Sequence, residues 1–401
     1  MRFTRKLLHW LSAVAVVAST AVGVSAASAA PVAAAPPNLL PLTLTNNSGR
    51  AEQVYVYVLG TNLNTGKLGY VNAAGAFTPW SPGSLPPSPA PDVAITGPAN
   101  GSATTIQLPI MLSGRVYVSF GEKLKFFLTP DGLVQPAPWA AGDANRDILF
   151  DWSEFTYNTS GLWLNTSMVD MFSVPHAVEV TAANGSTQRT GDLVPNGRER
   201  IFNALRDQQG DWAKLVQSRG DGTRLRALSP GRGIDAGLFS ATYFDSYVSQ
   251  AWATYQSTTL TVVPFENEPD KKFFGRTDSA GVMNFTDTSG ARVASFSRPS
   301  TKDVFGCDGA LHAPNDGVVG PIARTLCAAL HRSTLGYLHT QPTVDPAQFY
   351  TRATTDHYSR VLHANSADGK AYGFAFDDVG HFESLVHDGS PRAARIILTS
   401  F

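Results

Sequence analysis

The sequence predicts an α+β protein in which a β domain comes first and a mixed α/β domain follows. From Leu39 to about Val180, apolar and polar residues alternate with the period of two that is typical of half-buried strands. After about residue 195, apolar residues recur three and four positions apart, which is the spacing of a helix with one buried face. Short apolar runs return near the C-terminus and predict further strands.

The alternating runs of the first part are short and bounded by turn residues. Short strands at even spacing are typical of a sandwich or a barrel. Residues 79–92 are rich in proline and are predicted to be loop. The predicted strands are 40–45 (LPLTLT), 53–59 (QVYVYVL), 115–120 (RVYVSF) and 125–128 (KFFL).

The second part mixes helical and strand patterns. We place the β domain at residues 38–190 and the α/β domain at residues 191–365. The last strands, within 366–401, can close the second domain or return to the first, and the pattern leaves both arrangements open. The predicted helices are 196–205, 242–255 and 318–330, and the predicted strands are 260–265, 281–285, 373–376 and 395–399.

The N-terminus has the order of a secretory signal peptide. Arg2, Arg5 and Lys6 precede a mostly apolar stretch, and small residues follow at 25–30. The alternative is a membrane anchor, but the stretch is short, is interrupted by polar residues and lacks a basic flank after it. We therefore expect a signal peptide at 1–30, a flexible leader at 31–37 and a secreted protein.

Charge and motifs exclude several classes of function. The chain has 31 Lys and Arg against 32 Asp and Glu, so nothing favours nucleic acid or an acidic membrane surface as a partner. The sequence contains no metal-protease motif, phosphate loop, nucleotide fingerprint or nucleophile elbow. We expect a monomer with no cofactor and no metal ion, acting on a neutral or small substrate.

The two cysteines, Cys307 and Cys327, are most simply explained as a disulfide, because exported proteins form them readily. The alternative is a metal site or a catalytic thiol, since His331 follows Cys327 by four residues and would share its helical face. Two thiols and one imidazole do not complete a metal shell, so the disulfide is favoured.

Residues 143–176 contain five carboxylates among aromatic and small polar side chains. Glu154 lies near Trp152 and Phe155, and burial beside aromatic rings favours a protonated carboxyl that can act as an acid. A second, ionised carboxylate such as Asp170 would complete the pair that hydrolyses glycosides. The alternative is a hairpin with solvated acids, which is the commoner role of carboxylates.

The spacing of this pair restricts the geometry. If 159–161 forms a tight turn, Glu154 faces roughly Thr166, and Asp170 lies about 13 Å further along. The two carboxylates can then meet only through a wide loop near Leu162 or a bend before Asp170.

Long runs in and beyond this segment resemble the glycoside hydrolase family 64 β-1,3-glucanases, and the resemblance covers about residues 40–401. Those enzymes resemble thaumatin-like proteins in their β domain, so the resemblance implies two lobes, a thaumatin-like sandwich or barrel and a mixed α/β domain, with a wide groove between them. The runs are 151–158 (DWSEFTYN), 161–175 (GLWLNTSMVDMFSVP), 299–311 (PSTKDVFGCDGAL) and 327–335 (CAALHRSTL), and 372–378 (YGFAFDD) resembles the thaumatin-type segment with paired aspartates.

The resemblance also implies roles for single residues. Glu154 matches the catalytic acid and Asp170 the catalytic base of an inverting enzyme. A further hydroxyl contact before Asp170 is assigned to Thr166, which shares strand parity with Asp170, and Ser167 is the alternative. The implied sugar-contacting or cleft-lining residues are Thr156, Asn158, Trp163, Asp143, Asp377 and Asp378.

The function that the resemblance implies is that of a secreted endo-β-1,3-glucanase. Such an enzyme would release short laminari-oligosaccharides from laminarin, curdlan or fungal cell-wall glucan. The alternative is a non-catalytic, thaumatin-like protein that binds glucan or acts against fungi through the same cleft. Glu154 and Asp170 favour the enzyme. A structural cell-surface protein is a weaker third candidate, because the sequence shows no anchor or repeat.

Overall fold

A computed structural model describes residues 35–401 of this chain. The predicted signal peptide, 1–30, and residues 31–34 of the predicted leader lie outside the described residues. The protein is mostly β, with helices between the strands, as the α+β prediction requires.

The strands fall into a dense first group and a more widely spaced second group. They are β1 (Leu39–Asn46), β2 (Val54–Asn62), β3 (Leu68–Val71), β4 (Phe77–Pro79), β5 (Ser88–Pro89), β6 (Ile95–Thr96), β7 (Ser102–Pro109), β8 (Leu112–Phe120), β9 (Phe127–Thr129), β10 (Gly132–Val134), β11 (Leu149–Asn158), β12 (Gly161–Asn165), β13 (Met171–Phe172), β14 (His176–Ala182), β15 (Thr187–Thr190), β16 (Val216–Ser218), β17 (Arg224–Leu228), β18 (Leu260–Val262), β19 (Phe273–Thr277), β20 (Met283–Thr286), β21 (Arg292–Phe296), β22 (Thr340–Gln341), β23 (Leu385–Asp388) and β24 (Pro391–Leu398).

The helices follow β15. The α-helices are α1 (Gly197–Asp207), α2 (Pro230–Asp235), α3 (Asp245–Ser257), α4 (Thr301–Gly306), α5 (Val319–His331) and α6 (His357–Asn365), and short 3₁₀ turns are Asp211–Leu215, Gly309–Leu311 and Pro346–Gln348. Within residues 35–401, none of the helices is long and apolar enough to cross a membrane.

Two large sheets share one apolar core. The first, called the outer sheet, has the strand order β15-β14-β24-β1-β7, and the second, called the site sheet, has the order β23-β12-β11-β8-β2-β3-β4, with β6 against β2. Leu42, Val56, Phe155 and Ile396, from strands of both sheets, belong to one buried cluster. This cluster is the alternating apolar face that the sequence pattern predicts.

The last strand lies in the middle of the outer sheet. β24 pairs parallel with β1, where Leu44 lies opposite Ile396, and antiparallel with β14, where Val178 lies opposite the same residue. The strand predicted at 373–376 is wrong, because this segment forms turns, apart from an isolated bridge at Tyr372.

A second core lies on the other face of the site sheet. It joins Tyr117 of β8 and Trp152 of β11 to Phe202 of α1, Trp252 of α3 and Leu326 of α5. The helices therefore pack on the face of the site sheet that is turned away from the outer sheet. Three smaller sheets complete the fold, with the orders β10-β9-β5, β13-β17-β16 and β21-β20-β19-β18-β22.

Candidate active site

The middle of the site sheet presents polar side chains on the face turned away from the outer sheet. In β11, Glu154, Thr156 and Asn158 are half-buried, whereas Phe155 and Tyr157 between them are buried in the core shared with the outer sheet. Because successive residues of a strand point to opposite faces, the sequence alternation alone puts the three polar residues on one surface.

The neighbouring strand is one residue out of the predicted register. Thr159 and Ser160 form a two-residue turn, so Glu154 pairs with Asn165 and not with Thr166. β12 ends at Asn165, and β13 starts only at Met171. The chain therefore bends before Asp170, which is one of the two arrangements that the spacing allowed.

Arg115 lies between the two proposed catalytic carboxylates. It is the cross-strand partner of Glu154 in β8. Its Nη2 lies 2.9 Å from Glu154 Oε1 and 3.4 Å from Asp170 Oδ2. These carboxylate oxygens are thus no farther apart than the sum of the two distances, which brings residues separated by 16 positions of sequence into one site.

Asp170 is almost completely enclosed and is held from a second side by Arg232. Its side chain is 5% exposed, and Nε and Nη2 of Arg232 each lie 2.8 Å from Oδ1. The backbone carbonyl of Asp170 accepts a hydrogen bond from Ser229, which caps α2 and so positions Arg232 in its first turn. Two guanidinium groups therefore compensate the charge of one carboxylate.

An aromatic residue of a loop joins this group. The guanidinium of Arg232 lies 4.4 Å from the ring centre of Trp139, a cation–π contact. The predicted cleft residue Asp143 organises the same loop, because its carboxylate accepts hydrogen bonds from the backbone N–H groups of Ala137 and Asn145. Asp143 thus stabilises the loop that carries Trp139.

Sequence reasoning missed Arg115, Arg232 and Trp139. Arg115 stands in a run that was predicted as a strand, but its pairing with Glu154 depends on which strands are neighbours. Arg232 comes from a helix far along the chain, and no local pattern connects it to Asp170.

Trp163 lies on the same surface as Thr156, its cross-strand partner. Its residue surface is only 7% exposed. The hydroxyl of Thr156 lies 2.8 Å from that of Ser113, and Asn158 accepts a hydrogen bond from the backbone of Ser160. These predicted sugar contacts lie together on the polar surface beside Glu154.

The assignment of Thr166 needs correction. Thr166 is completely buried, and its hydroxyl lies 2.7 Å from that of Ser384. The physical reason is the register, since a shift of one residue moves a side chain to the other face of the sheet. The alternative, Ser167, is 2% exposed and pairs with Tyr372 in an isolated bridge.

Asp377 also needs correction, because it does not line an open cleft. It is 0% exposed, its Oδ1 accepts a hydrogen bond from Arg332, and its Oδ2 accepts from His363 and from the backbone N–H of Gly373. Burial would raise the pKa of Asp377, but the charges of His363 and Arg332 outweigh it and hold that pKa below its ordinary value.

Asp378 differs from its neighbour. It is half-buried, and its Oδ1 is enclosed with no hydrogen-bond partner among residues 35–401. Burial raises the pKa of Asp378, and the nearby charge of Asp377 adds to the effect, whereas Arg324 opposes it. Of the two predicted aspartates, only Asp378 thus has a carboxylate oxygen without a hydrogen-bond partner among residues 35–401.

The cysteines and His331 form a compact group elsewhere. Cys307 and Cys327 are joined as a disulfide, with Cα atoms 5.7 Å apart, and link the end of α4 to α5. The three residues bring potential metal ligands within 4.8 Å of one another. The disulfide engages both sulfur atoms, and the ring nitrogens of His331 contact Asp356 and Val304, so this group does not fit a metal ion.

Comparisons with known proteins agree across sequence and structure. The model of glycoside hydrolase family 64, described as a β-1,3-glucanase, matches residues 38–398. Glucan endo-1,3-β-glucosidases from Arthrobacter sp. (strain YCWD3) and Cellulosimicrobium cellulans are each 48% identical over 393 residues, which is 97% of this chain and 69% of theirs.

Solved structures give the same result. The crystal structure of a laminaripentaose-producing β-1,3-glucanase in complex with laminaritetraose matches with a TM-score of 0.87 and 54% identity, over 91% of this chain and 99% of that one. A β-1,3-glucanase domain from Clostridium beijerinckii matches with a TM-score of 0.76 over 91% of this chain and 100% of that one, and at 24% identity it supports the fold alone.

Proposed function

Because this chain belongs to the β-1,3-glucanases of glycoside hydrolase family 64, we infer that it is a glycoside hydrolase that cleaves internal linkages of β-1,3-glucan. One observation in the site carries this inference furthest. A single nitrogen of Arg115 contacts both Glu154 and Asp170, so two carboxylates separated in sequence stand beside a polar surface. Most glycoside hydrolases use such a pair.

In the proposed reaction Glu154 is the general acid and Asp170 the general base. Glu154 donates a proton to the glycosidic oxygen, and Asp170 removes one from the attacking water, so the anomeric configuration inverts. The guanidinium groups of Arg115 and Arg232 contact Asp170, which suits a group that must carry negative charge.

The bridge through Arg115 sets a condition on this mechanism. Because one nitrogen of Arg115 contacts both carboxylates, the contacted oxygens of Glu154 and Asp170 can be at most slightly more than about 6 Å apart. In inverting enzymes the two carboxyl groups are roughly 6.5–9.5 Å apart. We propose that Arg115 leaves Glu154 when the substrate enters, because the carboxyl of a general acid must face the glycosidic oxygen. The carboxylates then have room for the attacking water.

The proposed substrate surface is the polar face of the site sheet. Thr156 and Asn158 offer hydroxyl and amide groups there, and Trp163 contributes an aromatic ring. We propose that this surface forms the floor of a wide groove between two lobes, the first of them thaumatin-like. The groove would hold laminarin, curdlan or fungal cell-wall glucan and release short laminari-oligosaccharides.

The competing function is a glucan-binding protein without turnover. Reducing-sugar release from purified laminarin separates the two, with wild-type protein and Glu154→Gln assayed side by side. We expect release by the wild type and its loss in the variant, with laminarin binding retained by both. Binding without release by the folded wild type would establish the non-catalytic function.

Two further expectations belong to this proposal. We propose that the protein is secreted, on the basis of the signal-peptide pattern at 1–30. We also propose that it acts as a monomer, as expected from the sequence. Sedimentation of the purified protein with laminarin present tests the second point.

A further inference from the structure

Glu383 comes to the same face of the site sheet as Glu154, although it lies outside the described strands. β23 pairs with β12, where Leu385 lies opposite Asn165. The pairing continues beyond both strands, because the backbone N–H of Thr166 donates to the carbonyl of Ser384. The hydroxyls of Thr166 and Ser384 meet on the opposite face, so Glu383, one position before Ser384, points to the face of Glu154.

Three oxygen atoms on this side of Glu154 lack hydrogen-bond partners. They are Asn165 Oδ1, Asp378 Oδ1 and Glu383 Oε2, each enclosed and unpaired within residues 35–401. Buried polar atoms in folded proteins almost always have a partner, and leaving one unpaired costs about 1–3 kcal/mol. A polar ligand that reaches such an oxygen can supply the missing hydrogen bond.

The buried phenol of Tyr372 interacts electrostatically with Glu154 and with both carboxylates that have an unpaired oxygen. Burial raises the pKa of Tyr372 well above its ordinary value, and the negative charges of Asp378, Glu154 and Glu383 raise it further. One phenol thus lies within electrostatic reach of all three carboxylates. Glu154 has two cross-strand neighbours, Asn165 in β12 on one side and Arg115 in β8 on the other. Asn165 therefore lies on the opposite side of Glu154 from Arg115, which bridges to Asp170.

We propose that Glu383 is a further substrate-binding residue, which holds a hydroxyl group of a β-1,3-linked glucose unit beside Glu154 together with Asn165 and Asp378. This proposal rests on the proposed glucanase function and adds a residue to it. Sugar hydroxyls both donate and accept hydrogen bonds, so they can satisfy an amide oxygen and two carboxyl oxygens at once.

The protonation of Glu383 suits this role. Burial raises its pKa to about 7, the charge of Asp378 adds to the effect, and His381 and Lys370 oppose it. Below that pH the carboxyl is neutral and can donate one hydrogen bond while accepting another. Glutamine has the same shape and the same two functions, whereas alanine has neither.

The test measures binding without hydrolysis. Laminaritetraose is titrated calorimetrically into Glu154→Gln protein, and then into the same protein carrying Glu383→Ala or Glu383→Gln, at about pH 6. Glu266→Gln in the same background is the control, because Glu266 is an exposed carboxylate whose ion pair is with His381. Melting temperatures establish that each variant is folded.

We expect Glu383→Ala to raise the Kd about tenfold or more, and Glu383→Gln and the control to leave it within about twofold of the background. A folded Glu383→Ala protein with unchanged affinity would overturn the proposal. If Glu383→Ala does not fold, Glu383→Gln decides, and the affinity for laminaritetraose is measured below and above pH 7 in the Glu154→Gln background with and without this change. A fall in affinity above pH 7 that occurs only in the protein with Glu383 supports the contact. The same pH dependence in both proteins refutes it. Wild-type protein that neither binds nor cleaves laminaritetraose would instead overturn the glucanase function itself.

Discussion

The indole ring of Trp163 lies with its centre 4.2 Å from that of the His387 imidazole, and the two planes are tilted by 32°. One face of the indole is therefore covered by protein, and only 7% of the residue is exposed. A sugar can reach the ring only at its free edge or face. Trp163 consequently has a structural role in addition to the sugar contact that the sequence predicts.

We expect Trp163→Ala to lower the free energy of unfolding by about 3 kcal/mol, because it removes a large buried ring, and also to raise KM for laminarin. Denaturant unfolding and initial rates measure the two effects. His387→Ala is the matched control, since it removes the stacking partner and keeps the indole, and it should change KM less. An unchanged KM in folded Trp163→Ala protein would leave the ring with a purely structural role.

Glu154→Gln and Asp170→Asn should each lower kcat by roughly 10²-fold or more, because each removes one proton-transfer group. Glu179→Gln, a carboxylate substitution in β14 of the outer sheet, should keep wild-type turnover. Proton NMR of the first product should show the α-anomer. A β-anomer formed first, or a glycosyl ester trapped on either carboxylate, would contradict inversion and leave the glucanase function intact.

Asp377→Asn should destabilise the protein by about 3 kcal/mol near pH 5 to 6, because it removes the charged partner of buried Arg332 and His363. The lowered pKa of Asp377 contributes stability above about pH 4, and it is lost as the pH falls. Burial would lower the pKa of His363, but the charge of Asp377 outweighs this and raises it. The stability that comes from the raised pKa of His363 is present below about pH 6.5 and is lost as the pH rises.

Melting temperatures of Asp377→Asn across pH should therefore show the largest loss between these limits and a smaller one at high pH. Asp378→Asn is the control, because Asp378 forms no such ion pair with any residue in 35–401. Both variants should lose less turnover than Glu154→Gln. Equal melting of Asp377→Asn and wild type at pH 5.5 would contradict the buried ion pair.

Replacing Cys307 and Cys327 by serine should lower the free energy of unfolding by about 3 kcal/mol in the chain-entropy model, since the bond closes a loop with a sequence separation of 20. Mass spectrometry of the unreduced wild type should find no free thiol on either residue. Reductant should lower the melting temperature of the wild type and leave that of the double variant unchanged.

Local pattern was sufficient for long alternating strands such as β2 and β8, but it wrongly predicted a strand at 373–376. The family resemblance implied Thr156 and Asn158, and in β11 they share a face with Glu154 because the side chains of a strand alternate. Local pattern could not supply the register with β12, because a turn of two residues instead of three moves every partner by one position. That difference places the side chain of Thr166 on the buried face of the sheet.

Contacts between distant parts of the chain were beyond local pattern. The paired aspartates look alike in sequence, yet Asp377 is buried and Asp378 is not, because Arg332 at the end of α5 and His363 in α6 enclose only the first. The bridging role of Arg115 likewise follows from strand order and from the bend before Asp170. Such facts depend on tertiary packing.

The position of β24 has a consequence for how the polypeptide is made. The strand that separates β1 from β14 follows both of them in the sequence, so both neighbours are synthesised before their common partner exists. Until then each presents a row of unpaired backbone groups, which is a template for association with other chains. Completion of the outer sheet therefore has to wait until Pro391–Leu398 has been synthesised, and chains that end before this strand would keep an open sheet.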